Sequence, residues 1–334
     1  MQRAAIRSLI LFSTLLAGAG LLSCRRAAGS ADGEPAHEVL KPVWKVGASP
    51  AAGQPRFTLA AWVEPDPAGN LFVLDFDDQK ITMLTPQGRL LRRFGGRGSA
   101  AGGLSKARRF AWVDGRLYFA NHGNERIEVL GPEGEVFPSV KLADVPVPGE
   151  LYFTRQQFYV ERRFVPDGYV LYAYDRDWHL RQRMIGADPL PDEAKFLRSH
   201  NTVCVAPDGL WIVYLLQNRI QKVDFDGRVL LETSRPLDWN FPKDGKGKVI
   251  PEILIHRACA VDPAGNLYVV YSNPQDWKRG NDVYKFRSDG RLEGKAFTLP
   301  IHAATFMRFD GQGNFYFSDG PTLTKARIER RAGA

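Results

Sequence analysis

The sequence predicts an all-β fold, a six-bladed β-propeller that an N-terminal strand closes. Two observations predict this fold. A tight turn followed by alternating aromatic and β-branched residues recurs about every 40 residues, and a second glycine-containing turn follows each copy. Helical periodicity is nearly absent outside residues 192–198. A helical solenoid of similar period is therefore not expected.

The first turn is clearest in residues 66–75 and 262–270. Both begin with Asp-Pro-Ala-Gly-Asn and continue into an apolar, β-rich stretch. Other copies begin near residues 114, 155, 207 and 311. Such a pattern is typical of a hairpin between two strands.

The second turn gives each unit two further strands. It occurs at residues 86–91, 132–136, 226–230 and 288–292, and residues 175–180 replace it in the third repeat. Four antiparallel strands per repeat are typical of a propeller blade. The six predicted units are residues 57–95, 105–142, 149–187, 200–236, 256–299 and 302–330.

The last unit lacks a fourth strand, and residues 41–46 form a strand without a partner. We expect this strand to become the outer strand of the last blade, because closure of the ring protects a sheet edge. The third unit is degenerate, so counts of five or seven blades remain alternatives. We divide the chain into residues 1–23, a lipoprotein signal peptide; 24–39, a flexible tether; 40–330, the propeller; and 331–334, a tail.

The N-terminus has a basic tip at Arg3 and Arg7, an apolar run over residues 9–22, and the sequence Leu-Leu-Ser-Cys ending at Cys24. This resembles the lipobox of bacterial lipoproteins. The resemblance implies that Cys24 is the first mature residue and carries the lipid. We then expect a location in the cell envelope, anchored to a bacterial membrane on its periplasmic or surface side. The alternative is an ordinary secretory signal cleaved nearby.

The formal net charge is +8, and the basic residues are dispersed. We therefore expect no nucleic-acid partner, and a mild attraction to anionic lipid or polysaccharide. We also expect a monomer. Cys204 and Cys259 occupy similar places in two repeats. We expect two buried thiols there, and a disulfide is the alternative in an oxidising envelope.

Residues 71–81 and 117–129 combine a strand, an acidic turn and a second strand that begins with a basic residue and Ile, and residues 94–98 are a Gly-rich connection. These segments resemble the NHL-type six-bladed propeller families. The resemblance implies the fold. It does not imply a function, since such propellers serve enzymes, sensors and scaffolds alike.

Three histidines, His200, His256 and His302, stand just before the innermost strands of units four, five and six. The ring could bring them together as three metal ligands with one open position, a geometry that suits zinc. Arg108 has a similar place in unit two and could bind an anionic group. The peptidyl-hydroxyglycine amidating lyases resemble this layout, in position on the blade only. The alternative is that these side chains hydrogen-bond to neighbouring loops.

Residues 188–199 and 240–255 exceed the usual connection length, and Trp239 and Lys243 next to or within the second are candidate ligand contacts. By contrast, Asp75, Asn121 and Asp319 are expected to cap turns rather than to catalyse. The common hydrolase and metalloprotease signatures are absent from the sequence.

Two functions remain open. The first is a membrane-anchored extracytoplasmic binding module for an envelope protein, a glycan or a small polar ligand. The second is a metal-dependent lyase or hydrolase at the mouth of the central channel. No cofactor is assured, and zinc belongs only to the second function. Whether the protein is an enzyme is therefore left open.

Overall fold

The structure is a computed structural model that describes residues 36–47, 54–162, 169–186, 201–215, 217–236, 256–271, 281–301 and 304–331. These residues form β-strands and turns, with a single 3-10 turn at His122–Asn124 among them. In the same ranges no helix has the length and hydropathy to span a bilayer. The strands form six four-stranded antiparallel sheets.

The strands follow one another in chain order. The first strand is β1 (Glu38–Val46). Blade 1 is β2 (Ala60–Pro65), β3 (Leu71–Asp75), β4 (Lys80–Leu84) and β5 (Leu90–Gly95). Blade 2 is β6 (Phe110–Val113), β7 (Arg116–Asn121), β8 (Arg126–Leu130) and β9 (Val136–Val140). Blade 3 is β10 (Pro148–Thr154), β11 (Gln157–Arg162), β12 (Tyr169–Tyr174) and β13 (Leu180–Gly186).

The second half of the ring repeats this order. Blade 4 is β14 (Asn201–Ala206), β15 (Gly209–Tyr214), β16 (Ile220–Val223) and β17 (Val229–Thr233). Blade 5 is β18 (His256–Val261), β19 (Leu267–Tyr271), β20 (Asn281–Phe286) and β21 (Leu292–Leu299). Blade 6 is β22 (Phe306–Phe309), β23 (Phe315–Ser318) and β24 (Leu323–Arg330), with β1 as its outermost strand.

The predicted closure is confirmed. β1 pairs antiparallel with β24, from Glu38 opposite Arg330 to Val46 opposite Leu323. The register shifts after Pro42, which cannot donate to the ladder and is tolerated because this strand lies at a sheet edge. The strand begins at Glu38, before the predicted start at residue 41, and the blade count is six.

A buried ion pair also fixes β1 to blade 5. Glu38 is buried, and the Lys285 ammonium lies 2.8 Å from its Oε1, to which the Tyr268 hydroxyl donates at 3.2 Å. Glu293 lies 3.4 Å from the same ammonium. The N-terminal strand is therefore held by the β24 ladder and by side chains of a second blade.

The repeated Asp-x-x-Gly-Asn turns have a common cause. The Asp66 carboxylate accepts a hydrogen bond from the Asn70 backbone at 2.8 Å, and Asp262 and Asp310 bond Asn266 and Asn314 in the same way at 2.9 Å. The aspartate closes the turn with its own side chain, which explains why the pattern recurs before second strands.

Antiparallel pairing sorts the connections onto two faces. The hairpins between first and second strands, and between third and fourth strands, lie on one face, here named the turn face. For example, Arg155 donates to the Pro207 carbonyl across two such hairpins at 3.3 Å. The links between blades, and the hairpins between second and third strands, lie on the opposite connection face, where Asn124 donates to the Gly98 carbonyl at 2.8 Å. Glu38 lies at the turn-face end of β1.

The predicted turn-capping groups are confirmed. Asp75 accepts hydrogen bonds from the backbone of Thr58 at 2.7 Å and of Leu59 at 3.1 Å. Asn121 accepts one from Ser105 at 2.7 Å. Asp319 accepts one from the Thr322 backbone at 3.1 Å. These side chains hold the connections against the blades.

The expectation of two free thiols is wrong. Cys204 in β14 and Cys259 in β18 form a disulfide, with Cα atoms 6.2 Å apart. Their equivalent places on the innermost strands of neighbouring blades bring the two side chains to the same interface. The bond closes a separation of 55 residues, for which the chain-entropy model gives a stabilisation of about 4 kcal/mol.

Replacement of Glu38 by Ala should lower the free energy of unfolding by about 3 kcal/mol, because it leaves the Lys285 ammonium buried without its main partner. Lys41→Ala on the same strand is the control. Its ion pair with Glu329 is exposed, so the loss should stay below about 0.5 kcal/mol. Equal losses in urea unfolding of the two variants would contradict the closure described here.

Candidate functional site

The innermost strands of the six blades line the central channel. Charged and aromatic side chains from four blades meet there. We name this set the channel cluster, and its members are Trp62, Glu64, Arg109, Glu150, Tyr152 and Arg308.

Arg109 occupies the centre of the channel. Its guanidinium lies between the rings of Trp62 in blade 1 and Tyr152 in blade 3, at 3.6 and 4.1 Å from their centroids. Its Nη1 lies 3.4 Å from both a Glu150 oxygen and the Val203 carbonyl of blade 4. Blades 2 and 4 are not neighbours, so the last contact crosses part of the channel.

The second part of the cluster is an ion pair between blades 1 and 6. The two guanidinium nitrogens Nη1 and Nη2 of Arg308 lie 2.8 and 2.7 Å from the two oxygens of Glu64, and the Trp62 indole donates to Glu64 at 2.8 Å. Burial raises the pKa of Glu64 and lowers the pKa of Arg308. Desolvation therefore outweighs the mutual attraction of the two charges.

Tyr152 connects blades 3 and 4. Its hydroxyl donates to Glu150 at 2.7 Å and accepts from the Val203 backbone at 3.3 Å. Burial, with the nearby Glu150 carboxylate second, raises the pKa of Tyr152 well above its usual range. The hydroxyl therefore stays protonated and acts as a hydrogen-bonding link.

Of the three predicted histidines, His256 lies in the described residues. It is fully buried at the start of β18, and its Nδ1 lies 2.5 Å from the Tyr214 carbonyl. Burial lowers the pKa of His256 to about 4. Since a carbonyl only accepts, Nδ1 carries the proton, and Nε2 presents a lone pair that has no partner among the described residues.

A neutral imidazole whose Nδ1 is bonded to a carbonyl fits a zinc ligand. His200 and His302 lie outside the described residues, so the three-histidine site stays a prediction. Trp239, Lys243 and Cys24 also lie outside them.

Arg108 lies on the connection face. It is exposed, and its guanidinium lies 4.6 Å from the centre of the Phe76 ring. Its neighbour Arg109 points into the channel instead. The assignment of an anion to Arg108 stays a prediction.

The charged members of the channel cluster are not among the residues predicted from the sequence as a site. A signal was present, because Glu64, Glu150 and Arg308 interrupt otherwise apolar first strands of their repeats. A charged side chain on the innermost strand of a blade cannot point to the outer surface of the ring.

Asp175, Asp177 and His179 place possible metal-ligand atoms within 4.8 Å of one another on the turn face. Their arrangement is explained by the turn itself. The Asp175 carboxylate accepts backbone hydrogen bonds from His179 and Asp177, and these bonds, with the Arg181 charge, lower the pKa of Asp175. We assign no site to this cluster.

No protein-family model matches the chain, and no curated protein matches it. Solved structures do resemble it. A candidate exported protein from Bacteroides fragilis is 8% identical, with 91% of this chain and 98% of that chain covered and a TM-score of 0.61. A member of the DUF4221 family from Bacteroides vulgatus is 10% identical, with 88% and 99% covered and a TM-score of 0.58.

The third neighbour is a catalytically inactive virginiamycin B lyase from Staphylococcus aureus, with one histidine replaced by alanine and with quinupristin present. It is 12% identical, with 79% of each chain covered and a TM-score of 0.52. At these identities the likeness shows the fold. The protein is thus a six-bladed β-propeller with a charged channel.

Arg109→Ala should lower the free energy of unfolding by about 2–4 kcal/mol, because it removes a stacked cation and leaves Glu150 without its ion-pair partner. Arg109→Lys keeps the charge without the planar stack and should be intermediate. The adjacent Arg108→Ala is the control, with an expected change of about 0.5 kcal/mol or less. Chemical denaturation measures all three, and equal effects at both positions would refute the assignment of Arg109 to the channel.

Glu64→Gln should alter the pH dependence of stability. The folded protein binds the Glu64 proton more tightly than the unfolded chain does, so folding free energy is lost as the pH rises above 4.5 through the folded-state pKa. The variant cannot titrate there, so its stability relative to wild type should increase as the pH rises from 4.5 through the folded-state pKa of Glu64. Glu329→Gln is the control, because Glu329 belongs to the exposed ion pair with Lys41. If the free energies of unfolding of wild type and Glu64→Gln changed with pH in parallel, a raised pKa of Glu64 in the folded protein would be contradicted.

Proposed function

We propose that the protein is an extracytoplasmic β-propeller, lipid-anchored through Cys24, whose connection face binds a ligand of the cell envelope. The observation that carries this proposal is where the chain joins the ring. Residue Glu38 lies at the turn-face end of β1, the end opposite the links between blades.

The proposed tether joins the ring at its turn face. β1 has nine residues and spans about 30 Å from one face to the other. The segment from residue 25 to 37 reaches about 45 Å when fully extended. A lipid on Cys24 would therefore be connected to the ring at its turn face, through a tether long enough to leave the connection face accessible to a ligand.

Two other features support this function. A disulfide between Cys204 and Cys259 is typical of exported proteins, because the cytosol keeps thiols reduced. Arg109 contacts blades 1, 3 and 4 inside the channel, which favours a ligand on the surface over one inside the bore.

The outer sheet edges support a monomer. The outermost strands β5 and β13 carry the exposed basic residues Arg93, Arg181 and Arg183. Charged edge strands oppose pairing with a second copy of the chain.

The anchor is tested by Cys24→Ser in a bacterial host. The wild-type protein should fractionate with membranes and carry acyl chains on its N-terminal cysteine by mass spectrometry, because the thiol is the acylation site. The variant should lose the lipid and keep the fold, measured by its unfolding transition. Wild-type protein that is cleaved at another residue and remains in the soluble envelope fraction would refute lipid anchoring.

A second candidate is a metal-dependent lyase or hydrolase at the channel mouth. The observation that favours it is the buried Nε2 of His256, which offers a lone pair without a described partner. The virginiamycin B lyase with a similar fold is catalytically inactive when one histidine is replaced by alanine, which is a reason to test this candidate.

Metal analysis separates the two candidates. Under the binding-module proposal, purified protein should contain no stoichiometric zinc. One zinc per chain that is lost in His256→Ala but kept in His179→Ala would favour the enzyme instead. His179 is the control because it is exposed on the turn face.

A further inference from the structure

A basic surface on the connection face is formed by the end of blade 1 and its link to blade 2. We name it the basic patch, and its members are Arg56, Lys80, Arg93, Arg97, Lys106 and Arg108. All six side chains belong to exposed residues.

Hydrogen bonds bring three separate segments together in this patch. The Gln79 side chain accepts from the Ala107 backbone nitrogen at 2.9 Å and donates to the Ala107 carbonyl at 3.2 Å. This places Lys80 beside the segment that carries Lys106 and Arg108.

Two arginines complete the arrangement. Arg97 donates through Nε to the Asp77 carbonyl at 2.7 Å, next to the Phe76 ring that Arg108 covers. Arg93 donates to the Arg56 carbonyl at 2.6 Å. Backbone carbonyls therefore hold the Arg93 and Arg97 side chains in this arrangement.

Few carboxylates balance these charges. Within the described residues, Arg56, Lys80, Arg93, Arg97 and Lys106 form no ion pair with a carboxylate. Asp77 and Asp78 are the adjacent acids of the hairpin, and the buried Asp75 accepts backbone hydrogen bonds. The patch is thus a concentration of positive charge, which attracts polyanions.

The patch also lacks apolar anchors. The large hydrophobic residues that are exposed in the described ranges are Val43, Leu91, Val136, Val229 and Leu230, and none belongs to the patch. Protein partners usually need such anchors in the centre of an interface, whereas a charged glycan does not.

The turn face carries acids together with arginines such as Arg89 and Arg228. The hairpins of the turn face carry many acids, including Asp66, Asp114, Asp208, Asp262 and Asp310. The basic patch lies on the opposite face, the connection face.

We propose that the basic patch binds an acidic polysaccharide of the cell envelope. This inference rests on the proposed function, since it supplies the class of ligand for the connection face. The interaction is electrostatic, so the affinity of the patch for the polysaccharide should fall steeply as the ionic strength rises.

The experiment measures binding of the purified protein to polygalacturonate at about 50 mM salt. The double variant Lys80→Glu/Lys106→Glu should bind at least about tenfold more weakly than wild type, with a shallower salt dependence. Arg89→Glu/Arg228→Glu makes the same change in net charge on the turn face and should bind within about threefold of wild type. Unfolding transitions check that both variants fold.

Three results would overturn the inference: no binding of wild type to polygalacturonate, equal weakening in both double variants, or binding only to vesicles that contain phosphatidylglycerol. The first and third mean that the patch has another partner, and the second means that net charge alone attracts the polymer. Lipid anchoring is judged separately by the Cys24→Ser fractionation, so either proposal can fail while the other stands.

Discussion

The pairing of β1 with β24 is the constraint on which the rest of the structure depends. It places the start of the chain and its end in one sheet, so every blade has a neighbour on both sides. Without it, blade 6 would have three strands and an unprotected edge. The buried Glu38–Lys285 pair adds a second attachment, to blade 5. Because Glu38 lies at the turn-face end of β1, the chain enters the ring at that face.

Closure also makes the channel cluster possible. It brings Arg308 of blade 6 to Glu64 of blade 1, beside Arg109 and its contacts with blades 1, 3 and 4. Burial works against these charges, as the raised pKa of Glu64 and the lowered pKa of Arg308 show. Buried charges of this kind give little net stability, but a mispaired blade would leave them without partners. The cluster therefore favours one arrangement of the blades over others.

Much of this fold could be predicted from the sequence, because its signals are local. The Asp-x-x-Gly-Asn turns carry their own hydrogen bonds, and residues 41–46 were a strand without a partner beside a blade that lacked one. The disulfide was not expected, since equal places in two repeats do not give the distance between two thiols. The channel residues were missed because the sequence shows that Glu64, Glu150 and Arg308 interrupt apolar strands, but not which side chains of other blades they meet across the ring. The grouping of Lys80 with Arg97 and Lys106 depends on the Gln79–Ala107 hydrogen bond, which no sequence pattern predicts.

The most direct test of this account is hydrogen–deuterium exchange of β1. In the closed ring, the amides of β1 that pair with β24 should exchange as slowly as those of β24 itself, and both should become labile in one step when the protein unfolds. Amides in residues 38–46 that exchange at the rate of an unstructured peptide, while β22, β23 and β24 stay protected, would contradict closure by the N-terminal strand.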